Sequence, residues 1–240
     1  MEMVILMRWI AGYIAALCVL LIIVAQSIFI PSFFMPYFSW HYERRDIPAS
    51  IGIEKDELMY VTEELLDYMR GRREDLIVYA TVNGEERQFF SDIEIRHMVD
   101  VLDLYEIGFM IRNVSFWLLL LIILGMAFFK VRILEVLSRC CREVIVCFLI
   151  LLGLLVGLIA WDFDRAFVIF HLIFFDNDYW ILDPSVDLLI NMVPQVFFVE
   201  ISIFIGGLLL LFCSLIIGAS TVYLRVTGSK DETQIVARFR

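Results

Sequence analysis

Four stretches of this chain are apolar and free of Asp, Glu, Lys and Arg: residues 9–42, 113–129, 144–161 and 201–224. A helix needs ~20 largely apolar residues, within a range of ~17–25, to cross a bilayer. In the first stretch Pro31 and Pro36 are expected to close the helix near Ile30. Transmembrane helices are therefore expected over 9–30, 113–129, 144–161 and 201–224. Hydrophobic residues make up 61% of the chain, against about 45–50% in soluble domains. Two further uncharged stretches, 166–175 and 188–199, are too short to span and read as interfacial or re-entrant helices. The expected fold class is an α-helical polytopic membrane protein. It has four transmembrane helices, a small extracytoplasmic α+β cap over 31–112 and two interfacial helices within 162–200.

Lys and Arg placement sets the expected orientation. Loop 130–143 carries Lys130, Arg132, Arg139 and Arg142, and the tail 225–240 carries Arg225, Lys230, Arg238 and Arg240. Both are expected to be cytoplasmic, as is the N-terminus. Segment 31–112 has 9 basic and 17 acidic residues, and 162–200 has 1 and 7, a combined net of −14. The whole chain carries −10, so the acidic excess is all extracytoplasmic. It reads as a soluble acidic cap, or more sharply as attraction for a cationic substrate group. The same balance excludes a basic nucleic-acid binder.

Cys18, Cys147 and Cys213 fall in the spans, and Cys140 and Cys141 in the cytoplasmic loop. None falls in the outer segments, which argues against a disulfide-stapled cap and against a quinone-coupled thiol oxidase. Ala15-Ala16-Leu17 before Cys18 loosely resembles a lipoprotein cleavage site. The bulky Leu17 and the length of the apolar stretch argue for a retained helix.

Within the first outer segment, Leu58, Val61, Thr62, Leu65 and Met69 form one apolar stripe, which predicts a helix over 55–71 capped by Gly71. Asn83-Gly84 between strand-like runs 76–82 and 85–90 predicts a hairpin. Ser91-Asp92-Ile93-Glu94 matches a capping box and predicts a second helix to about Tyr105. In the second outer segment, Asp164 is a candidate cap for a helix through Phe175, with Phe167, Phe170, His171 and Phe174 on one face. Asp183-Pro184 predicts another helix that stops near Val193, before Pro194 opens the last long one.

All three histidines, His41, His97 and His171, fall in the outer segments. Histidine suits proton transfer near neutral pH. His171 lies on a Phe-rich face near Asp164, Asp176 and Asp178, and reads either as a base or ligand, or as a structural residue bonded to a carboxylate. His97 has Asp100 at i+3 for pairing and is open between a structural and an active role. His41 reads as a bland interfacial residue. The chain contains no H-E-x-x-H, no G-x-S-x-G and no P-loop. No spacing demands a metal. The expected spans contain no charged side chain, which argues against a pump.

The order of these features resembles a known family. Arg96-His97-Met98-Val99-Asp100 follows the hairpin. Downstream come His171-Leu172-Ile173-Phe174-Phe175, Trp180-Ile181-Leu182-Asp183-Pro184, Asp187, Leu189-Ile190-Asn191-Met192, Pro194 and Phe197-Phe198. Over most of its length the chain is similar to the lipoprotein intramolecular transacylases of low-GC Gram-positive bacteria. The resemblance implies an acyltransferase of the bacterial cell membrane acting on diacylated lipoproteins. The sn-2 acyl chain of the S-diacylglyceryl group would move to the α-amine of the N-terminal cysteine, giving the lyso form. The family's two functional histidines map onto His97 and His171. Asp100, Asp176, Asp183 and Asn191 are supporting candidates, with Asn191 or backbone N–H groups near the Asp183-Pro184 helix start as the oxyanion donors. Phe170, Phe174 and Trp180 are candidates for acyl-chain binding. Substrate lipoprotein and membrane phospholipid are the expected partners, with no metal, no cofactor and no nucleic acid. The competing readings are a non-enzymatic membrane sensor or assembly factor with structural histidines, and a metal hydrolase.

Overall fold

The computed structural model describes the backbone of residues 2–238 and the side chains of 6–157 and 162–227. In chain order its elements are α1 (Glu2–Ser32), α2 (Met35–Arg45), α3 (Ile47–Ile51), α4 (Lys55–Met69), β1 (Tyr79–Val82), β2 (Glu85–Gln88), α5 (Asp92–Phe128), α6 (Ile133–Trp161), α7 (Phe163–Phe174), α8 (Leu189–Met192) and α9 (Gln195–Arg238). Among the described residues, four helices are long and apolar enough to cross a membrane: Leu6–Ser32, Asp92–Phe128, Ile133–Gly157 and Gln195–Thr227. The chain is a polytopic α-helical membrane protein with a small two-stranded sheet.

Several boundaries differ from the sequence reading: α1 continues through Pro31 to Ser32, α6 begins at Ile133 within the expected loop 130–143, and the largest difference is in α5. Residues 92–105 and 113–129 were expected as two helices, but α5 runs unbroken through its 37 residues. Between them lie Gly108 and no proline, and a lone glycine is tolerated inside a helix. At 1.5 Å per residue α5 is about 55 Å long, well beyond the ~30 Å of hydrocarbon. Its first half carries Asp92, Glu94, Arg96, Asp100, Asp103, Glu106 and Arg112, which hydrocarbon would strongly disfavour. Its uncharged part begins at Asn113.

The chain forms two compact units. One comprises Met1–Ser27, Phe109–Trp161 and Gly206–Arg240. Its interior is built from Ala16, Ile23, Met126, Val136, Cys140, Ile145, Leu209 and Cys213. Gly12 lets α1 and α6 approach closely: a Cβ there would lie 2.5 Å from Val136 Cγ1 and 2.9 Å from Cys140 Sγ. Trp117, Leu121, Leu154 and Leu215 face outward, the arrangement that lipid rather than water requires.

The other unit comprises Ile28–Gly108 and Asp162–Ile205. Its core gathers Tyr42, Leu58, Val61, Leu76, Val78, Phe89, Phe90, Met192 and Phe197. The α4 stripe is buried as the spacing predicts. Gly71, at φ 68°, follows its C-cap, and the Gly71 and Arg72 amides donate to the Tyr68 and Asp67 carbonyls. Asn83 and Gly84 both take positive φ, at 55° and 81°. Val82 pairs with Glu85 across them, so the hairpin turns through a type I′ loop. The capping box closes in both directions. The Ser91 amide donates to Glu94 Oε2 at 2.5 Å, and the Glu94 amide to Ser91 Oγ at 3.4 Å.

Segment 162–200 needs two corrections. The cap of α7 is Asp162, whose Oδ1 accepts from the Arg165 amide at 3.0 Å. Asp164 instead sits in the first turn and accepts from Gln195 Nε2. The helix expected from Asp183-Pro184 is reduced to α8, four residues long. Asp183 Oδ1 accepts from the Ser185 amide and hydroxyl, which makes a local Asx turn. Glu94 Oε1 takes the Leu189 amide at 2.5 Å, and Asp187 Oδ2 takes the Asp183 amide at 2.8 Å. These side chains supply acceptors that a longer helix would have had to supply from its own backbone.

Candidate active site

The second unit brings His97 of α5 and His171 of α7 together, with ring centroids 6.0 Å apart. Helix spacing places Arg96, His97 and Asp100 in adjacent turns of α5, and the turn after α7 docks onto them. Asn177 Nδ2 donates to Asp100 Oδ2 at 2.8 Å. Asn177 Oδ1 in turn accepts from the Tyr179 amide at 3.0 Å. The Arg96 guanidinium lies 5.5 Å from the Tyr179 ring centroid. The turn held this way stacks Trp180 on His171, at 4.7 Å and 29°. Phe167 at 4.3 Å and Phe170 at 5.4 Å also pack on His171. Phe175 packs on both imidazoles, 5.3 Å from His97 and 5.5 Å from His171.

His171 Nδ1 is 2.7 Å from the Phe167 carbonyl one turn earlier. A carbonyl only accepts, so Nδ1 carries the proton and Nε2 presents a lone pair. His171 is 7% exposed and His97 9%. Burial pushes the His171 pKa down, against an opposing pull from the Phe167 carbonyl. His97 lies in the charged first half of α5, ahead of the apolar part. Its pKa falls to about 4, mainly through burial and then through His171, while Asp100 acts in the opposite direction. Both rings are neutral at neutral pH.

This has a consequence for stability. An unfolded histidine titrates near 6.5, whereas folded His97 resists protonation down to about 4. Its contribution is full above 6.5 and is lost as the pH falls through that window, by up to about 3 kcal/mol. Thermal unfolding in detergent at pH 7 and at pH 4.5 should therefore differ more for the native protein than for His97→Gln. Equal acid sensitivity of the two would contradict the assignment.

The other candidates divide clearly. Asp100 does not bond His97 but holds Asn177, acting on His97 only through its charge. Asp176 is exposed where that turn begins. Asp183 is exposed and occupied by Ser185. Asn191 Nδ2 donates to the Pro184 and Asp187 carbonyls, so it is not free to serve as the expected oxyanion donor. It lines a cleft of about 380 Å³ with Ser50, Asn83 and Arg87, whose walls include neither histidine of the pair. Phe170 and Phe174 pack together at 4.8 Å and remain about half exposed. Among the described residues, no three His, Cys, Asp or Glu side chains gather in a way that could hold a metal ion.

His41, read as interfacial, is wholly buried. Its Nδ1 is 2.8 Å from Glu200 Oε2, and Arg45 Nη2 donates to Glu200 Oε1 at 2.5 Å. These partners lie about 155 residues apart in sequence, so no local pattern announces them. Sequence reasoning also missed Asn177, whose bond to Asp100 fixes the turn after α7, and the tertiary use of Glu94. Ser91 Oγ donates to Asp187 Oδ1 at 2.9 Å, which adds to the brace between Glu94 and Leu189.

Fold and site together define an integral membrane protein built around a buried pair of neutral imidazoles, a group suited to moving protons. Residues 13–198 match the family model described as lipoprotein intramolecular transacylase Lit. The chain belongs to this family. Among solved structures it is similar to the membrane-integral lipoprotein intramolecular transacylase Lit from Bacillus cereus, with a TM-score of 0.73 at 20% identity, over 94% of this chain and 98% of that one. Two variants of that protein, with one histidine changed to alanine or to arginine, match with TM-scores of 0.71 at 20% identity. They are matched over 93% of this chain and over 96% and 95% of theirs. At that identity the likeness establishes the fold. No match was found among curated proteins.

Proposed function

We propose that this protein moves the sn-2 acyl chain of a lipoprotein's S-diacylglyceryl group to the α-amine of its N-terminal cysteine. The product is an N-acyl, S-monoacylglyceryl lyso-lipoprotein. The observation that carries this reading is the buried His97–His171 pair, which offers an unprotonated Nε2 on His171.

The substrate supplies both nucleophile and ester, so neither an enzyme nucleophile nor a cofactor is required. A free α-amine has a pKa of about 7.7–8.0. A neutral imidazole beside it can take the proton as the nitrogen attacks the ester carbonyl. His171 Nε2 is assigned this role. His97 is its partner, orienting the substrate or delivering a proton to the departing glycerol oxygen. Holding amine and ester in one bound molecule supplies the proximity contribution. Exposed Phe170 and Phe174 offer an apolar edge to the acyl chains. Phospholipid would cover the same edge between turnovers. On this reading both termini are cytoplasmic, with 31–112 and 162–200 outside. The site then lies at the outer leaflet, where lipidated N-termini reside, and the acidic outer face favours the approaching ammonium group.

The test is reconstitution with a synthetic diacylglyceryl lipopeptide. Acyl migration leaves the intact mass unchanged, so fragment spectra must be read. An N-acylated cysteine with a monoacylglyceryl thioether is the expected product. A free N-terminus after incubation with folded protein would defeat the proposal.

A further inference from the structure

Attack of an amine on an ester carbonyl places negative charge on the carbonyl oxygen, and that oxygen needs a hydrogen-bond donor. Most polar donors around the histidine pair are already committed. Asn177 Nδ2 is held by Asp100, and His171 Nδ1 by the Phe167 carbonyl. Asn191 Nδ2, further along the chain, is held by two backbone carbonyls. The Arg96 guanidinium is exposed and turned onto the Tyr179 ring, 5.5 Å from its centroid, a solvated cation rather than a buried donor. Two buried ring nitrogens at the pair have no hydrogen-bond partner: His97 Nδ1, which donates or accepts according to its tautomer, and Trp180 Nε1, whose ring is stacked on His171. An indole N–H can only donate. Burying it without an acceptor costs free energy that a ligand oxygen would recover.

We infer that the Trp180 indole N–H is the oxyanion donor for acyl transfer, a catalytic role distinct from packing against lipid. This rests on the transacylase reading above. In the step, the amine nitrogen forms a bond to the acyl carbon. The carbonyl π pair moves onto the oxygen, which accepts from Trp180 Nε1. The nitrogen gives up a proton to His171 Nε2. As the carbonyl re-forms, the bond from the acyl carbon to the sn-2 glycerol oxygen breaks. Its electron pair leaves on that oxygen, which takes up the proton. The substrate is isomerised, and nothing is oxidised or reduced. A neutral donor suits this site, because both histidines rest uncharged in surroundings that penalise a standing cation.

Two variants isolate the N–H. Trp180→Phe keeps an aromatic ring against His171. β-(3-Benzothienyl)alanine at position 180 keeps the bicyclic shape and replaces N–H by sulfur. Both are assayed with the diacylglyceryl lipopeptide alongside the native protein. The expected result is a fall in kcat of about 10²-fold, with KM and the acid limb of the pH profile unchanged. Native kcat in the benzothienyl variant would overturn the assignment. So would a loss confined to KM, which means ground-state packing only. A displaced pH profile would also overturn it, since Trp180 would then act through His171. If the native protein leaves the lipopeptide unmodified, the transacylase reading falls and this role falls with it. If the native protein transfers and the variants match it, only the Trp180 role is lost.

Discussion

Replacing His171 with alanine is expected to slow acyl transfer by about 10²–10⁴-fold, the usual contribution of a positioned acid–base group, while the protein still folds. The His171 ring bonds through Nδ1 to its own helix, at the Phe167 carbonyl. Its other neighbours are the rings of Phe167, Phe170, Phe175, Trp180 and His97. Truncation therefore strands no buried charge. The same loss is expected for His97→Ala, whose ring lies against Phe175 and whose Nδ1 has no partner to abandon. Burial depresses both imidazole pKa values, so the base stays unprotonated below the ordinary histidine range. The acid limb of kcat should accordingly fall below pH 6.5. Lipopeptide turnover and thermal unfolding of each variant decide the matter. Full activity in both would remove the pair from the mechanism.

The largest effect on stability is expected at Glu94, not at a histidine. Its carboxylate is 0% exposed. It accepts the Ser91 amide on one oxygen and the Leu189 amide on the other, each at 2.5 Å. Glu94→Ala leaves the buried Leu189 N–H and the partly buried Ser91 N–H without acceptors, about 1–3 kcal/mol for the first and less for the second. Glu94→Gln keeps one acceptor oxygen and should lose less. Activity should decline along with stability, because the brace orders the chain from Asp187 to Met192 that follows the Trp180 turn. Detergent thermal melts of the two variants, read against the native protein, measure this. An alanine variant melting with the native protein would show that the brace contributes nothing.

Some of this was open to reading from residues alone, for local reasons. Asn83-Gly84 dictates its turn because positive φ at two successive positions suits few other residues. Ser91 and Glu94 sit one helical turn apart and cap the same helix end. Gly71 terminates α4 for the same kind of reason. His171 was marked by a polar ring on a phenylalanine face, and its neighbour Phe167 lies one turn away. The misread parts depend on distant partners. Asp183-Pro184 has the form of a helix start, yet Glu94 and Asp187 draw the backbone into a turn. Asp100 stands at pairing distance from His97 along the helix but is taken by Asn177. Asn191 has the right chemistry for an oxyanion donor and spends it on two carbonyls.

By itself, the sequence determined the four apolar helices, the hairpin, the acidic character of segments 31–112 and 162–200 and the short roster of candidate histidines. Each follows from composition or from spacing within a few turns, and the hydrophobic effect and backbone sterics act at that range. Only the tertiary structure decided that His97 and His171 form a pair, that His41 does not join them, and that Trp180 holds an unused N–H beside His171. These depend on residues dozens of positions apart, brought together by burial. Burial also set the protonation of the pair, since removing water from an imidazole disfavours its charged form.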